Sequence, residues 1–195
     1  MLLLTDNFST DTSSNYTTSG TWAYDGGNKT LNYSTGQQAF AVQNVNVSDK
    51  ITAVCSVYIT DAPDGLNDYI GVQVTANASA GGSNNGYCAV FRGGDTSNIW
   101  LLDSNVDWIA SGAFSWSINT KYWLKIYRNG TSVKIKAWVD GGSEPASWTI
   151  DTTVTPRSNT YVGFAASNPG GTNTGRLDDL TVTQDDAGIF LLNFV

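Results

Sequence analysis

From Tyr122 to Trp138 the chain alternates with period two. Tyr122, Leu124, Ile126, Val133, Ile135 and Ala137 fall on one face, and Trp123, Lys125, Tyr127, Ser132, Lys134, Lys136 and Trp138 on the other. This is the pattern of strands that bury one face. Asn129-Gly130 interrupts it, and that pair tolerates the positive φ required at the centre of a two-residue type I′ turn, so a hairpin is predicted. In that register Arg128 faces Thr131, Ile126 faces Val133, Leu124 faces Ile135, Tyr122 faces Ala137, and Lys125 opposes Lys134.

Similar alternation recurs along the chain, and no window of helical period interrupts it. Strands are expected near 2–8, 21–24, 29–33, 38–46, 50–60, 68–76, 86–92, 98–103, 106–110, 121–128, 132–139, 146–150, 160–167, 175–183 and 189–194. Turn signals separate them, among them Asp25-Gly26-Gly27, Gly93-Gly94 and Gly141-Gly142. So many short strands at close spacing predict an all-β fold, a two-sheet antiparallel sandwich. The patches 9–21 and 76–86 are rich in Ser, Thr, Asn and Gly and read as polar loops. The final Gly188-Ile-Phe-Leu-Leu-Asn-Phe-Val195 is strongly apolar. It is expected either to close the sandwich as a last strand or to dock on a neighbouring subunit. The organisation expected is therefore one domain over 1–185, followed by an apolar strand or docking tail over 186–195.

Composition sharpens this picture mainly by exclusion. The 195 residues are 41% hydrophobic, enough for a full core without staples, and only 14% are charged. A net charge of −7 with ten Lys and Arg leaves no basic footprint for nucleic acid. There is no His, and Glu144 is the only Glu. Ser/His/Asp and Cys/His triads, His-ligated zinc and imidazole acid/base chemistry are thereby excluded. Cys55 and Cys88 each sit in an alternating apolar strand, either as buried thiols or as a disulfide between strands. The opening Met-Leu-Leu-Leu-Thr-Asp lacks a basic leader and is too short for a signal sequence, so the domain is expected to start at the first residue. No apolar stretch reaches membrane-span length.

Four segments then line up in order: Asp6-Asn7-Phe8, GYCAVFRGGDTSNIWLLD, YWLKIYRNGTSVKIKAWVDGGSEPASW and YVGFAASNPGGTNTGRLDDLTV. Together they resemble the concanavalin A-like lectin/glucanase superfamily, particularly laminin-G-like jelly rolls of bacterial and phage proteins, over roughly residues 5–183. The resemblance implies a jelly roll of two curved sheets whose concave face binds carbohydrate. It also implies a structural calcium ion where the first and last strands meet, with Asp6, Asn7, Asp178 and Asp179 as the matching oxygen donors. The competing reading is that these residues cap strand ends. The paired acidic motif of laminarinase-type hydrolases is missing, which argues against that mechanism.

The aromatic surplus offers candidate binding residues. Ile70, Val72 and Val74 are expected to face the core, which turns Tyr69, Gln73 and Thr75 outward. Tyr87, Phe91 and Arg92 are expected beside them, and Trp100, Trp108 and Trp116 on or near loops that wall a groove. The glycan-binding set is thus Tyr69, Gln73, Tyr87, Arg92, Trp100 and Trp108, against the alternative that these rings pack beneath loops. No catalytic residue is assigned. Composition and the apolar end point first to a non-catalytic virion component, a capsid decoration or tail protein, that self-associates or meets virion proteins through its tail. The alternative is a lectin module for cell-surface polysaccharide, outside or on the surface of a cell. A lyase using Tyr as base is the least favoured.

Overall fold

The structure, a computed structural model, describes residues 1–28, 30–46, 50–60, 68–76, 86–103, 107–168 and 175–184. Its strands in chain order are β1 (Leu2–Asp6), β2 (Thr17–Asp25), β3 (Thr30–Asn44), β4 (Lys50–Ile59), β5 (Tyr69–Ala76), β6 (Tyr87–Arg92) and β7 (Asp95–Asp103). They continue as β8 (Asp107–Ala113), β9 (Lys121–Asn129), β10 (Ser132–Val139), β11 (Ile150–Thr153), β12 (Tyr161–Asn168) and β13 (Gly175–Gln184). One 3-10 turn, Ser13–Asn15, lies between β1 and β2. All strand pairs are antiparallel, in the order β11-β10-β9-β4-β13-β3-β12-β5-β6-β7-β8. β1 adds to β13 and β2 to β3.

Two layers arise because β3 serves both. Its start, Leu31 to Tyr33, pairs with β13 in the first layer, and its later part, Gly36 to Asn44, pairs with β12 in the second. Strands β4 and β9 then lie against β5 and β6, while β8 and β11 approach each other at one margin. The core between the layers follows the alternation in the sequence. Ala53, Cys55 and Val57 of β4, Leu124 and Ile126 of β9, and Val133 and Ile135 of β10 are fully buried against Val72, Val74, Ala89, Phe91, Ile99 and Leu101. Phe8, Tyr16 and Phe164 stack at one end, with centroids 5.8–6.0 Å apart. Aromatic side chains bury the largest areas, so this trio anchors the N-terminal segment to β12.

The β9–β10 hairpin forms, but its register differs from the expected one. Asn129 pairs with Ser132, Ile126 with Ile135, Leu124 with Ala137 and Tyr122 with Val139. The loop is Gly130-Thr131, with Gly130 at φ +58° and Thr131 not in the left-handed region. Glycine at the first central position suits a type II′ turn, which leaves Asn129 inside its strand. Each partner moves by two positions, so every side chain keeps its face although its neighbour changes. Lys125 consequently opposes Lys136 rather than Lys134, and both cations reach Glu144, at 2.8 and 2.7 Å.

Other boundaries shift as well. The strands expected at 29–33 and 38–46 are one continuous β3, and the patch read as a loop over 9–21 contributes Thr17 to Thr21 to β2. The strand expected at 146–150 begins at Ile150. The strand expected at 189–194, and the tail over 186–195 with it, lies outside the described residues. Cys55 and Cys88 are both free and fully buried, and burial pushes both thiols well up.

Candidate functional site

The β6–β7 hairpin builds the site from a short run, Arg92-Gly93-Gly94-Asp95-Thr96-Ser97-Asn98-Ile99-Trp100. The two glycines make the turn, with Gly94 at φ +69°, a conformation that a side chain disfavours. Beyond the turn, Ile99 and Leu101 enter the core, so alternation sends Asn98, Trp100 and Leu102 to the other face of the second layer. Tyr69 pairs with Arg92 across β5–β6, and Trp108 pairs with Leu102 across β7–β8. Four sequence-predicted residues therefore converge.

Trp100 and Trp108 meet edge to face, with centroids 5.5 Å apart at 77°. The Arg92 guanidinium lies 4.6 Å from the Trp100 ring centre and 4.0 Å from that of Trp108. Tyr69 meets Trp108 edge-on at 6.1 Å. Asp95 completes the group by accepting hydrogen bonds from Trp100 Nε1 at 2.8 Å, Ser97 N at 3.1 Å and Asn98 Nδ2 at 3.0 Å. Burial works against its charge. Those hydrogen bonds and the nearby Arg92 charge outweigh it, and the carboxyl is held below the usual Asp range. The two indoles are thus fixed in orientation by a cation against their faces and an anion on one ring nitrogen.

The rest of the expected set does not join them. Tyr69 and Gln73 are on the predicted face, yet they are 3% and 0% exposed, because that face carries an apolar cluster of its own with Cys88, Val90, Leu102 and Ala165. Gln73 donates Nε2 to Phe164 O at 3.0 Å and accepts from Cys88 Sγ at 3.6 Å, so its amide knits strands together. Tyr87 points to the other side. It packs in the main core, donates its hydroxyl to Thr155 O at 2.6 Å and lies beneath the Arg157 guanidinium. Phe91 and Trp116 are core residues too. Only Arg92, Trp100 and Trp108 keep partial exposure, and they form the accessible rim of the group. Asp95 was not among the sequence-predicted residues; an acidic residue directly after a Gly-Gly hairpin turn, two positions before an outward strand face, was the available signal.

The four expected calcium ligands do not form a ligand set. Asp6 accepts from Phe8 N, Thr12 Oγ1 and Tyr16 Oη at 3.0, 2.7 and 3.0 Å. Asn7 accepts from Ser9 N, and Asp178 from Asp179 N. Asp179 accepts from Lys121 Nζ at 3.0 Å and Ser56 Oγ at 3.2 Å. Among the described residues no group of three or more His, Cys, Asp or Glu is placed to hold a metal ion. Asp6, Asn7 and Asp178 each accept a backbone N–H, as the capping alternative expects, whereas Asp179 accepts from side chains.

The site offers ring surface, a guanidinium and an ordered carboxylate. Burial pushes the Tyr69 phenol well above its ordinary value and keeps it neutral.

No family model matches the sequence, and no curated protein matches it. Solved structures do match in shape. The carbohydrate binding module CBM66 from Bacillus subtilis superposes with a TM-score of 0.63 at 18% identity, covering 87% of this chain and 96% of that one. A Lotus tetragonolobus seed lectin reaches 0.69 at 9% identity, covering 93% and 98%. A Bauhinia forficata lectin in complex with GalNAc reaches 0.67 at 12% identity, covering 94% and 99%. Near-complete mutual coverage at such low identity shows a shared fold: the chain is a two-layer antiparallel jelly roll, similar in shape to these lectins and to the carbohydrate binding module.

Proposed function

We propose that the protein is a non-catalytic carbohydrate-binding module of lectin type that acts outside the cell or at a cell surface. The observation that carries this reading is the partly exposed rim of Trp100, Trp108 and Arg92, with Trp100 fixed by Asp95. Sugars present apolar C–H faces and hydroxyl groups together. A fixed aromatic wall with a guanidinium beside it meets both without the entropy loss of ordering side chains on binding. The fold likeness to lectins supports the same reading. A virion role draws no support from the site or from the similar structures.

Affinity electrophoresis through gels containing neutral and acidic polysaccharides tests the proposal. The native chain is expected to be retarded by at least one of them. Trp100→Ala is expected to lose roughly tenfold or more in affinity, as truncating an aromatic anchor does. Retardation unchanged in both Trp100→Ala and Arg92→Gln, with both variants folded, refutes the site.

A further inference from the structure

The outer face of the first layer carries a second group of aromatic and charged side chains. Across β4, β9, β10 and β13, alternation places Ser56 and Tyr58, Lys121 and Trp123, Trp138, and Arg176 and Asp178 on that face. A pocket of about 170 Å3 opens there, lined by residues that include Ser56, Tyr58, Lys121, Arg176 and Asp178. That is space for on the order of five waters, comparable to the polar groups of one sugar ring.

A β-bulge in β13 shapes the pocket. The register against β4 shifts between Asp178 and Thr181, and Asp179 takes φ +53°. A bulge re-aims the side chains around it. Asp179 turns to Lys121 and Ser56, while Asp178 lines the pocket with one oxygen accepting from Asp179 N. The Arg176 guanidinium lies 5.5 Å from the Tyr58 ring centre. Among the described residues it makes no hydrogen bond or ion pair, and the Tyr58 hydroxyl makes no hydrogen bond. A guanidinium stacked on a ring but otherwise uncommitted is a preorganised receptor for a planar carboxylate.

The pocket also has a neighbour that suits a sugar chain. Lys121, on its wall, sits 5.5 Å from the Trp123 ring centre, and Trp123 stacks against Trp138 across the hairpin at 6.2 Å and 14°. Trp123 Nε1 donates to Asp140 Oδ1 at 2.7 Å, which fixes the ring. We infer that this face is a second, separate ligand site for an acidic saccharide. A uronate ring occupies the pocket with its carboxylate on Arg176, and the next ring lies over the Trp123–Trp138 pair. This site shares no residue with the Trp100 rim and does not rest on it.

NMR titration of the whole chain with a trisaccharide of β-1,4-linked glucuronate, and with cellotriose as its neutral counterpart, tests this. The uronate is expected to shift the Trp123 and Trp138 indole N–H signals saturably. Affinity is expected to fall roughly tenfold or more in Arg176→Gln, where a charge-assisted contact is lost, and in Trp123→Ala. Trp100→Ala is expected to leave uronate binding unchanged. Equal saturable shifts of the Trp123 and Trp138 signals by cellotriose, loss of uronate binding in Trp100→Ala, displacement by equimolar inorganic phosphate, or no saturable shift overturns the inference. None of these results decides whether neutral glycans bind the Trp100 rim.

Discussion

Replacing Asp6 by Ala separates a structural carboxylate from a calcium ligand. Asp6 is 8% exposed and accepts from Phe8 N, Thr12 Oγ1 and Tyr16 Oη within 3.0 Å. Phe8 is fully buried and Tyr16 nearly so, so two of these donors have little access to water once the carboxylate is gone. A hydrogen bond to a charged group contributes about 1.5–3 kcal/mol net, and bonds sharing one acceptor are not additive. The expected loss is about 3–5 kcal/mol. For a chain of this size each kcal/mol shifts Tm by about 2–4 °C, so the transition drops by roughly 6–20 °C. Calorimetry in EDTA reads this directly. Tyr16→Phe, which keeps the ring stacked on Phe8 and Phe164 and removes one donor, is expected to cost about 1–2 kcal/mol. Added calcium is expected to leave both differences intact. An Asp6→Ala loss under about 3 °C in EDTA, or a large calcium-dependent gain in the native chain that vanishes in Asp6→Ala, refutes the capping account and restores the metal site.

Stability at neutral pH is expected to rise in Asp178→Asn. With its folded value raised to about 6, Asp178 keeps a proton between pH 4 and 6 that the unfolded chain has released. Its contribution is therefore fully present below pH 4 and is lost as the pH rises through 6; because the group is half exposed, solvent screening leaves about 1 kcal/mol. Denaturant midpoints at pH 4 and 7.5 check this, and an unchanged pH slope in the variant contradicts it. Phe164→Ala, which removes a fully buried ring from the aromatic trio, is expected to cost about 3–5 kcal/mol by equilibrium unfolding. Cys55 and Cys88 are expected to resist a thiol reagent in the native protein and to react together on unfolding; rapid native labelling of either contradicts their burial. Glu144→Gln is expected to shift stability by about 1 kcal/mol or less, because Glu144 itself is exposed and the buried Lys136 keeps its bond to Pro145 O at 2.7 Å.

The hairpin shows what was legible in the chain and what was not. Side-chain period alone assigns Leu124, Ile126, Val133 and Ile135 to the core, and they are there. It does not separate registers that differ by two, since both keep the same faces; the choice falls to the turn, where Gly130 takes the lead position instead of sharing it with Asn129. The site was legible in part for a similar reason. Alternation turns Tyr69 and Gln73 away from the core, and Trp100 and Trp108, expected on or near loops, stand on β7 and β8 on that same face; the pattern carries no information on whether such a face is open. Tyr69 and Gln73 are sealed because Val90, Leu102 and Ala165 make that second face apolar as well. Tyr87 and Arg92 are an odd number of positions apart on β6, so they lie on opposite faces: Arg92 pairs with Tyr69, and Tyr87 with the core residue Val74. Asp95, Arg176 and the Trp123–Trp138 pair gain meaning only from contacts between residues distant in the pattern.

Strand β3 ties the two layers into one mechanical unit. Leu31 is paired in the first layer and Val42 in the second, along one unbroken backbone. Neither layer can peel away without pulling a strand out of the other, so slow amide exchange in both is expected to collapse at a single opening free energy. A ligand held on either outer surface would then reinforce the far side too, guarding the whole sandwich against unravelling.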